Sequence, residues 1–273
     1  MKNSIVMNGG TLQHLSLINA LKVTKDSGYD GYGVWSNQIC SSFGHHNQDE
    51  YCQIIIESGL SIPEIIWLKP WLYVNGEEKK QSISDIENLC QVAKKINARI
   101  ITAPTYGVSN DIQLAQNNYK DFCDIAACYE LKVGLEFVPI FTIDSLLSAY
   151  ALVQAVDRNN SGIIIDTFHV FKGSTSLSDI QKVPVEKMLL VHLCDFNDED
   201  PCGDILFEAR NKRLSPGRGV FDLQSFISEM TIHGYEGSYS LEVLNQNNRN
   251  INSESFSISI LKDAKNILGV KRR

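Results

Sequence analysis

Apolar runs alternate along the chain with polar segments that have helical spacing. Eight short runs carry the β-branched and aromatic side chains that are typical of strands covered on both faces. Most of the segments between them have apolar positions three or four residues apart, which predicts helices, most clearly over 81–96 and 142–157. The predicted strands are 4–7, 32–35, 61–67, 98–103, 132–138, 162–166, 188–193 and 238–243.

Helix boundaries follow from the polar residues at the ends of these segments. Ser84 followed by Glu87 has the spacing of a capping box, and Asp222 is placed to cap another helix. Thr142 is expected to cap the helix that contains IDSLLSAYALVQAV. The turns SGYDGYG, ESGLS and HGYEGS place a glycine where a helix gives way to the next strand. These glycines predict left-handed helix C-caps.

Eight strands that alternate with helices predict a (β/α)8 TIM barrel, formed by a single domain over residues 1–273. An open doubly wound sheet is the alternative, and it usually has a glycine-rich phosphate turn after its first strand. Neither NGGTLQ nor GYDGYG has the GxGxxG spacing, which favours the barrel. The long loop 196–216 is expected to cover the upper face as a lid or a substrate loop.

Charge and hydropathy exclude several classes of protein. A net charge of −7 argues against a nucleic-acid partner, because such proteins usually present a basic face. No run of about 18 apolar residues predicts a membrane helix, and the start MKNSIVMNGG lacks the apolar core of a signal peptide. We therefore expect a soluble cytoplasmic protein without a membrane or nucleic-acid partner, and a homo-oligomer is compatible with the sequence.

Four of the predicted strands end in a side chain that can bind a metal. They are the last four, and catalytic groups in barrels stand at the carboxyl ends of the strands. Three carboxylates and an imidazole that converge there would repel one another without a cation, so the pattern predicts one divalent ion: Mn2+, Mg2+, Co2+ or Zn2+. Taken singly, each residue has an ordinary explanation as a salt-bridge partner or a core histidine. The four are Glu136, Asp166, His192 and Glu242.

Other polar residues lie close to these four in the sequence. His169, three residues after Asp166, reaches the pocket as a substrate hydrogen-bond donor or lies exposed on a loop. Asp195 either orients a metal ligand from behind, or it closes an Asx turn or caps a helix. Arg210 and Arg213 precede the turn SPGRG, and a guanidinium there could hold an anionic or polyhydroxylated substrate. The sequence leaves open which of the two arginines points inward.

The chain resembles the xylose isomerase-like TIM-barrel superfamily over nearly its whole length. The resemblance rests on the ordered stretches SGYDGYGVW, GLEFVP, IDTFHVFKG, VHLCDFND, RLSPGRGVFDL and SLEV. Members of this superfamily include sugar isomerases, ketose 3-epimerases, inosose and 3-dehydroshikimate dehydratases and endonuclease IV. The chain departs from many relatives at Arg218, where they carry an acidic residue, and this change is expected to alter the charge of the loop or of the substrate site.

The resemblance implies roles for the candidate residues. It implies that the four strand-end residues hold the metal and that two of them, Glu136 and Glu242, also serve as acid and base. It further implies that His169 and Arg213 contact substrate oxygens. Endonuclease IV needs additional histidines on earlier strands, which IIWLKPW and ITAPTYG do not contain.

Three functions are compatible with this site. The first is an isomerase or epimerase of a small hydroxy-carbonyl compound, a sugar, sugar phosphate or sugar acid, acting through a metal-stabilised enediolate. The second is a dehydratase of the inosose or 3-dehydroshikimate type, since loss of a β-hydroxyl begins with the same proton removal. The third is a degenerate barrel that binds a metabolite without catalysis, although such a barrel has no chemical need for all four ligands.

Overall fold

The eight strands are parallel and close into a barrel in which each strand pairs with its neighbours in sequence and the last pairs with the first. The structure is a computed structural model and describes residues 3–40, 47–197 and 203–270. The (β/α)8 prediction is confirmed and the open doubly wound sheet is wrong. The strands are β1 (Ile5–Asn8), β2 (Gly31–Trp35), β3 (Glu64–Ile66), β4 (Ile100–Pro104), β5 (Lys132–Glu136), β6 (Ser161–Asp166), β7 (Met188–Leu193) and β8 (Tyr239–Leu241).

Helices surround the barrel in the described part of the chain. They are α1 (Leu17–Asp26), α2 (Asn37–Cys40), α3 (Gln48–Ser58), α4 (Gly76–Lys95), α5 (Ile112–Ala127), α6 (Leu146–Val156), α7 (Thr167–Lys172), α8 (Ile205–Asn211), α9 (Leu223–Ile232) and α10 (Ser253–Ile267). Most of the apolar core lies between this helical layer and the outer face of the sheet. None of the described helices combines the length and apolar content that crossing a bilayer requires.

Two of the predicted helix starts are wrong. α4 begins at Gly76 rather than near Ser84, which lies exposed within the helix. The pattern missed the first turns because their polar side chains face solvent, while Glu77 and Glu78 favour a helix start through the positive end of the helix dipole. α6 is capped by Ser145, and the hydroxyl of Thr142 instead bonds to the backbone of Ser109.

The other predicted caps are confirmed. The side chain of Asp222 accepts a hydrogen bond from the backbone N–H of Ser225 and caps α9. Gly28, Gly59 and Gly234 have φ values of 83°, 72° and 85°, the left-handed conformation that lets each helix hand over to the following strand.

The strand register brings the polar strand ends to one level of the barrel. Asp166 on β6 pairs with His192 on β7, and His192 pairs with Ser240 on β8. Glu136 is the last residue of β5, whereas Glu242 follows the last residue of the short strand β8. The carboxyl ends of four successive strands therefore meet at the upper face.

Candidate active site

A cavity of about 420 Å³ opens at the carboxyl ends of the strands. Its walls include Trp35 at the end of β2, Leu68 after β3 and Tyr106 after β4, and α8 supplies Arg210 on the side of the long loop. The volume is in the usual range for small-molecule sites, roughly 300–1,000 Å³. The loop 196–216 thus contributes a wall of the pocket, as expected; its residues 198–202 lie outside the described part.

The four strand-end residues converge at this cavity. Each offers one ligand atom, and the four atoms lie within 4.8 Å of one another. All four residues are buried, and two of them, Glu136 and Glu242, line the cavity itself. The predicted convergence of Glu136, Asp166, His192 and Glu242 is therefore present in the fold, while their role as metal ligands stays a prediction.

His192 lies fully buried between carboxylates on its two sides. Its Nδ1 is 2.8 Å from Glu136 Oε1 and 3.4 Å from Glu242 Oε2, while its Nε2 is 3.0 Å from Glu64 Oε2. Burial acts to lower the pKa of the imidazole, but the negative charges of Glu64, Glu242 and Glu136 outweigh it and raise the pKa well above the usual value. The surrounding carboxylates therefore favour the protonated form of the ring.

Sequence reasoning missed Glu64, the first residue of β3. Its side chain is completely buried and accepts hydrogen bonds from Thr102 Oγ1 at 2.5 Å and Ser240 Oγ at 2.7 Å, in addition to its contact with His192. Burial acts to raise its pKa, but His192 and these hydrogen bonds lower it below the usual value. The available signal was a single acid inside the apolar run SIPEIIW, which is unusual for a covered strand.

Arg213 is the arginine that reaches the carboxylates. Its Nη1 lies 2.7 Å from Asp166 Oδ2 and 3.0 Å from Glu242 Oε2, and its guanidinium lies over the ring of Phe168 at 5.0 Å. The side chain is 3% exposed. By contrast, Arg210 is exposed at the cavity wall. Both arginines line the cavity, but only Arg213 pairs with the predicted ligands.

The charges of the cluster favour a divalent cation. Burial, with Glu242 and Asp166 adding to it, raises the pKa of Glu136 to about 7 despite the nearby His192. Burial also opposes ionisation of Glu242, but Arg213 and His192 outweigh it and lower the pKa to about 2. The raised pKa of Glu136 means that the cluster opposes a further negative charge, which a bound cation would offset.

The donor set also fits such an ion. Metal–ligand bonds of about 2.1 Å place two ligand atoms at most about 4.2 Å apart, so one ion could bind all four after some contraction of their 4.8 Å spread. Three carboxylates and one imidazole are donors that Mn2+, Mg2+, Co2+ and Zn2+ accept.

His169 faces the cavity from α7. It is 5% exposed, its Nε2 lies 3.4 Å from Asp166 Oδ2, and its Nδ1 has no hydrogen-bond partner among the described residues. Burial lowers the pKa of its ring to about 4, so the ring is neutral near pH 7. A buried ring nitrogen without a partner is available to a substrate hydroxyl.

Asp195 holds the long loop and does not orient a ligand. Its carboxylate accepts hydrogen bonds from the backbone N–H groups of Phe196, Gly217 and Phe221. Its own backbone pairs with Leu214, the residue after Arg213. Asp195 therefore fixes the chain segment that carries Arg213.

Arg218, which departs from the acidic residue of relatives, points away from the cluster. Its guanidinium makes two hydrogen bonds of 2.8 and 2.9 Å to Asp263 on α10, and its side chain is 64% exposed. It therefore changes the charge of the loop and not of the substrate site.

Comparison with known proteins gives consistent matches. The family described as xylose isomerase-like TIM barrel matches residues 21–261. An inosose isomerase of Halalkalibacterium halodurans is 25% identical over 265 residues, which are 93% of this chain and 91% of that protein. A 3-dehydroshikimate dehydratase of Pseudomonas aeruginosa is 24% identical over 239 residues, which cover 84% of this chain and 36% of that protein.

A solved structure of similar fold is that of IOLI protein with a bound zinc atom. It superimposes with a TM-score of 0.86 and 20% identity, covering 97% of this chain and 98% of that chain. At 20% identity, this similarity shows that the two chains share a fold.

Proposed function

The chain belongs to the xylose isomerase-like TIM-barrel family, and from this membership we propose that it is a divalent-metal-dependent isomerase or epimerase of a small hydroxy-carbonyl compound. We place its substrate among the inososes and related polyhydroxy ketones. The inosose isomerase that matches 93% of the chain supports this choice. The observation that carries the proposal is the convergence of four metal-binding side chains at the cavity.

The residues that would hold the ion are Glu136, Asp166, His192 and Glu242, and the bound zinc of IOLI protein supports such a site. When bound, a divalent ion would supply positive charge beside the substrate carbonyl, which makes the neighbouring carbon more acidic.

Proton transfer falls to Glu136 and Glu242 in this proposal. Both carboxylates line the cavity, so both can reach a bound substrate. One removes the proton next to the carbonyl, and the other returns a proton to the neighbouring carbon in an isomerisation or to the opposite face in an epimerisation.

Substrate positioning is assigned to His169 and Arg213. The free Nδ1 of His169 offers a hydrogen bond to one hydroxyl, and Arg213 lines the cavity beside the carboxylates. Trp35 and Leu68 provide an apolar wall against which the C–H face of a polyol ring can pack, and this wall excludes water from the reacting carbon.

The test is mass spectrometry of inososes, ketoses, aldoses and 3-dehydro acids incubated with the protein in D2O containing Mn2+. We expect isomerisation or epimerisation with uptake of one deuterium, abolished in Glu242→Gln. The matched control is Glu186→Gln, an exposed glutamate just before β7 at the opposite end of the barrel, which should leave the rate unchanged. No conversion in any compound would contradict the proposal.

A second candidate function is a dehydratase of the 3-dehydroshikimate type. The Pseudomonas aeruginosa enzyme that matches 84% of the chain favours it. In the same experiment, a product lighter by one water from a 3-dehydro acid or an inosose would select the dehydratase.

Four statements stay predictions from the sequence: a cytoplasmic location, a single domain over 1–273, the absence of a nucleic-acid partner and a homo-oligomeric state.

A further inference from the structure

Glu64 is a buried acid whose surroundings are built to hold it. It lies on β3 inside the barrel, and burying a carboxylate without partners is strongly unfavourable. Space for it comes from Gly33 on β2, because a Cβ at position 33 would lie 2.7 Å from Glu64 Oε1. The glycine at position 33 on β2 thus makes room for the carboxylate of Glu64 on the neighbouring strand β3.

Three donors from three other strands converge on this carboxylate. Thr102 on β4 and His192 on β7 both approach Oε2, at 2.5 and 3.0 Å, and Ser240 on β8 donates to Oε1 at 2.7 Å. The side-chain amide of Asn8 donates a hydrogen bond of 3.5 Å to the hydroxyl oxygen of Ser240. The hydroxyl proton of Ser240 is thereby directed to Glu64. Both oxygens of Glu64 are therefore used as acceptors.

This arrangement determines which ring nitrogen of His192 carries a proton. Carboxylates face both ring nitrogens, but Nδ1 faces the candidate ligands Glu136 and Glu242; with an ion bound among them, the single ring proton belongs on Nε2, where the carboxylate of Glu64 can accept it. The lone pair then lies on Nδ1, which faces Glu136 and Glu242. A histidine can ligate a metal only through the nitrogen that has the lone pair.

We propose that Glu64 is a positioning residue that fixes the tautomer and ring orientation of His192 and thereby sets the metal affinity of the site. This inference rests on the proposed function, since it requires the cluster to bind a divalent ion. Glu64 does not line the cavity, and among the four candidate ligands it hydrogen-bonds to His192; its charge also acts on Glu242, and the comparison of glutamine with methionine below separates the acceptor from the charge.

Metal affinity tests the inference without any measurement of turnover. The dissociation constant of Zn2+ is measured by competition with a chromophoric chelator for the parent protein, Glu64→Met and Glu64→Gln. Methionine keeps the volume but offers no acceptor to Nε2, so we expect about 10- to 100-fold weaker binding. Glutamine can keep its amide oxygen towards Nε2 and donate to Ser240, so we expect it to restore most of the affinity. Asp166→Asn gives the reference for losing a direct ligand.

The thermal midpoint of unfolding, measured on the metal-free proteins, shows whether weaker Zn2+ binding in a variant comes from the loss of His192 positioning or from a less stable fold. A Glu64→Met protein that folds and has a Zn2+ dissociation constant within twofold of the parent value would overturn the role of Glu64 while leaving the proposed metal site in place. Equal losses in the methionine and glutamine variants would overturn the tautomer assignment. A parent protein that binds no divalent ion would overturn both this inference and the proposed function.

Nitrogen NMR of the zinc-loaded parent protein provides a readout that requires no variant. We expect the ring of His192 to be protonated at Nε2 and bound through Nδ1. A proton on Nδ1 would overturn the inference even if Glu64→Met fails to fold.

Discussion

Replacing Arg213 by methionine removes the buried cation that pairs with Asp166 and Glu242. In the folded protein the pKa of Glu242 is about 2, against an ordinary value of 4.5, because Arg213 and His192 outweigh the effect of burial. A shift of one pKa unit corresponds to about 1.4 kcal/mol, so Arg213 and His192 together outweigh the burial of ionised Glu242 by about 3 kcal/mol. Breaking a buried pair typically costs a similar 3–5 kcal/mol. We therefore expect Arg213→Met to lose about 3 kcal/mol of unfolding free energy at pH 7 without metal.

The assay is urea unfolding of the chelator-treated protein, followed by circular dichroism and fluorescence. Arg218→Met is the matched control, because Arg218 also pairs with an aspartate through two hydrogen bonds but is 64% exposed. An exposed pair contributes about 1 kcal/mol or less. Equal losses in the two variants would refute the argument that burial of the Arg213 pair gives it its strength.

The pH dependence provides a second check on the same reasoning. The pKa of Glu242 is lower in the folded than in the unfolded chain, so its contribution to stability is complete above about pH 4.5 and is lost as the pH falls towards 2. The stability difference between the parent and Arg213→Met should shrink over that interval. A difference that stays constant down to pH 3 would contradict the assignment to Glu242.

Three further predictions follow from the same residues. Because nearby carboxylates raise the pKa of His192 well above its usual value, binding of Zn2+ should release protons and tighten as the pH rises; calorimetry in buffers of different ionisation enthalpy measures this, and identical uncorrected heats in all buffers would count against it. Gly33→Ala should weaken Zn2+ binding and lower the unfolding free energy by about 1–3 kcal/mol, because its Cβ would lie 2.7 Å from Glu64 Oε1; an unchanged thermal midpoint and affinity would show that the barrel has room there. His169→Asn should raise KM for the substrate while the Zn2+ dissociation constant changes less than about threefold, since the free Nδ1 lies at the cavity and outside the cluster; a lost metal site would assign His169 a different role.

The sequence contains most of the information needed for the barrel and for the level of its site. Parallel strands place their carboxyl ends at one face, so a polar residue at the end of a predicted strand has a definite location before any contact is known. This is why Glu136, Asp166, His192 and Glu242 could be grouped from their positions alone. The helix starts were less accessible, because the polar first turns of α4 have no apolar pattern.

Glu64 shows what the sequence could not reveal. Its importance depends on contacts with residues up to 176 positions away and on the space beside Gly33. A strand residue points into or out of a barrel according to its register, and the apolar run SIPEIIW does not fix that register. The sequence could not decide between Arg210 and Arg213 for a related reason. The two arginines are only three positions apart, and whether each side chain is exposed or buried depends on where α8 ends and how the following loop runs.

The central claim is that four strand-end side chains hold one divalent ion. The most direct measurement is anomalous X-ray scattering at the zinc edge from crystals of the protein loaded with Zn2+. The account predicts one strong peak about 2.0–2.2 Å from a carboxylate oxygen of Glu136, Asp166 and Glu242 and from Nδ1 of His192. A peak bound elsewhere, or crystals without a peak at the cluster while Arg213 keeps its contacts with Asp166 and Glu242, would contradict it.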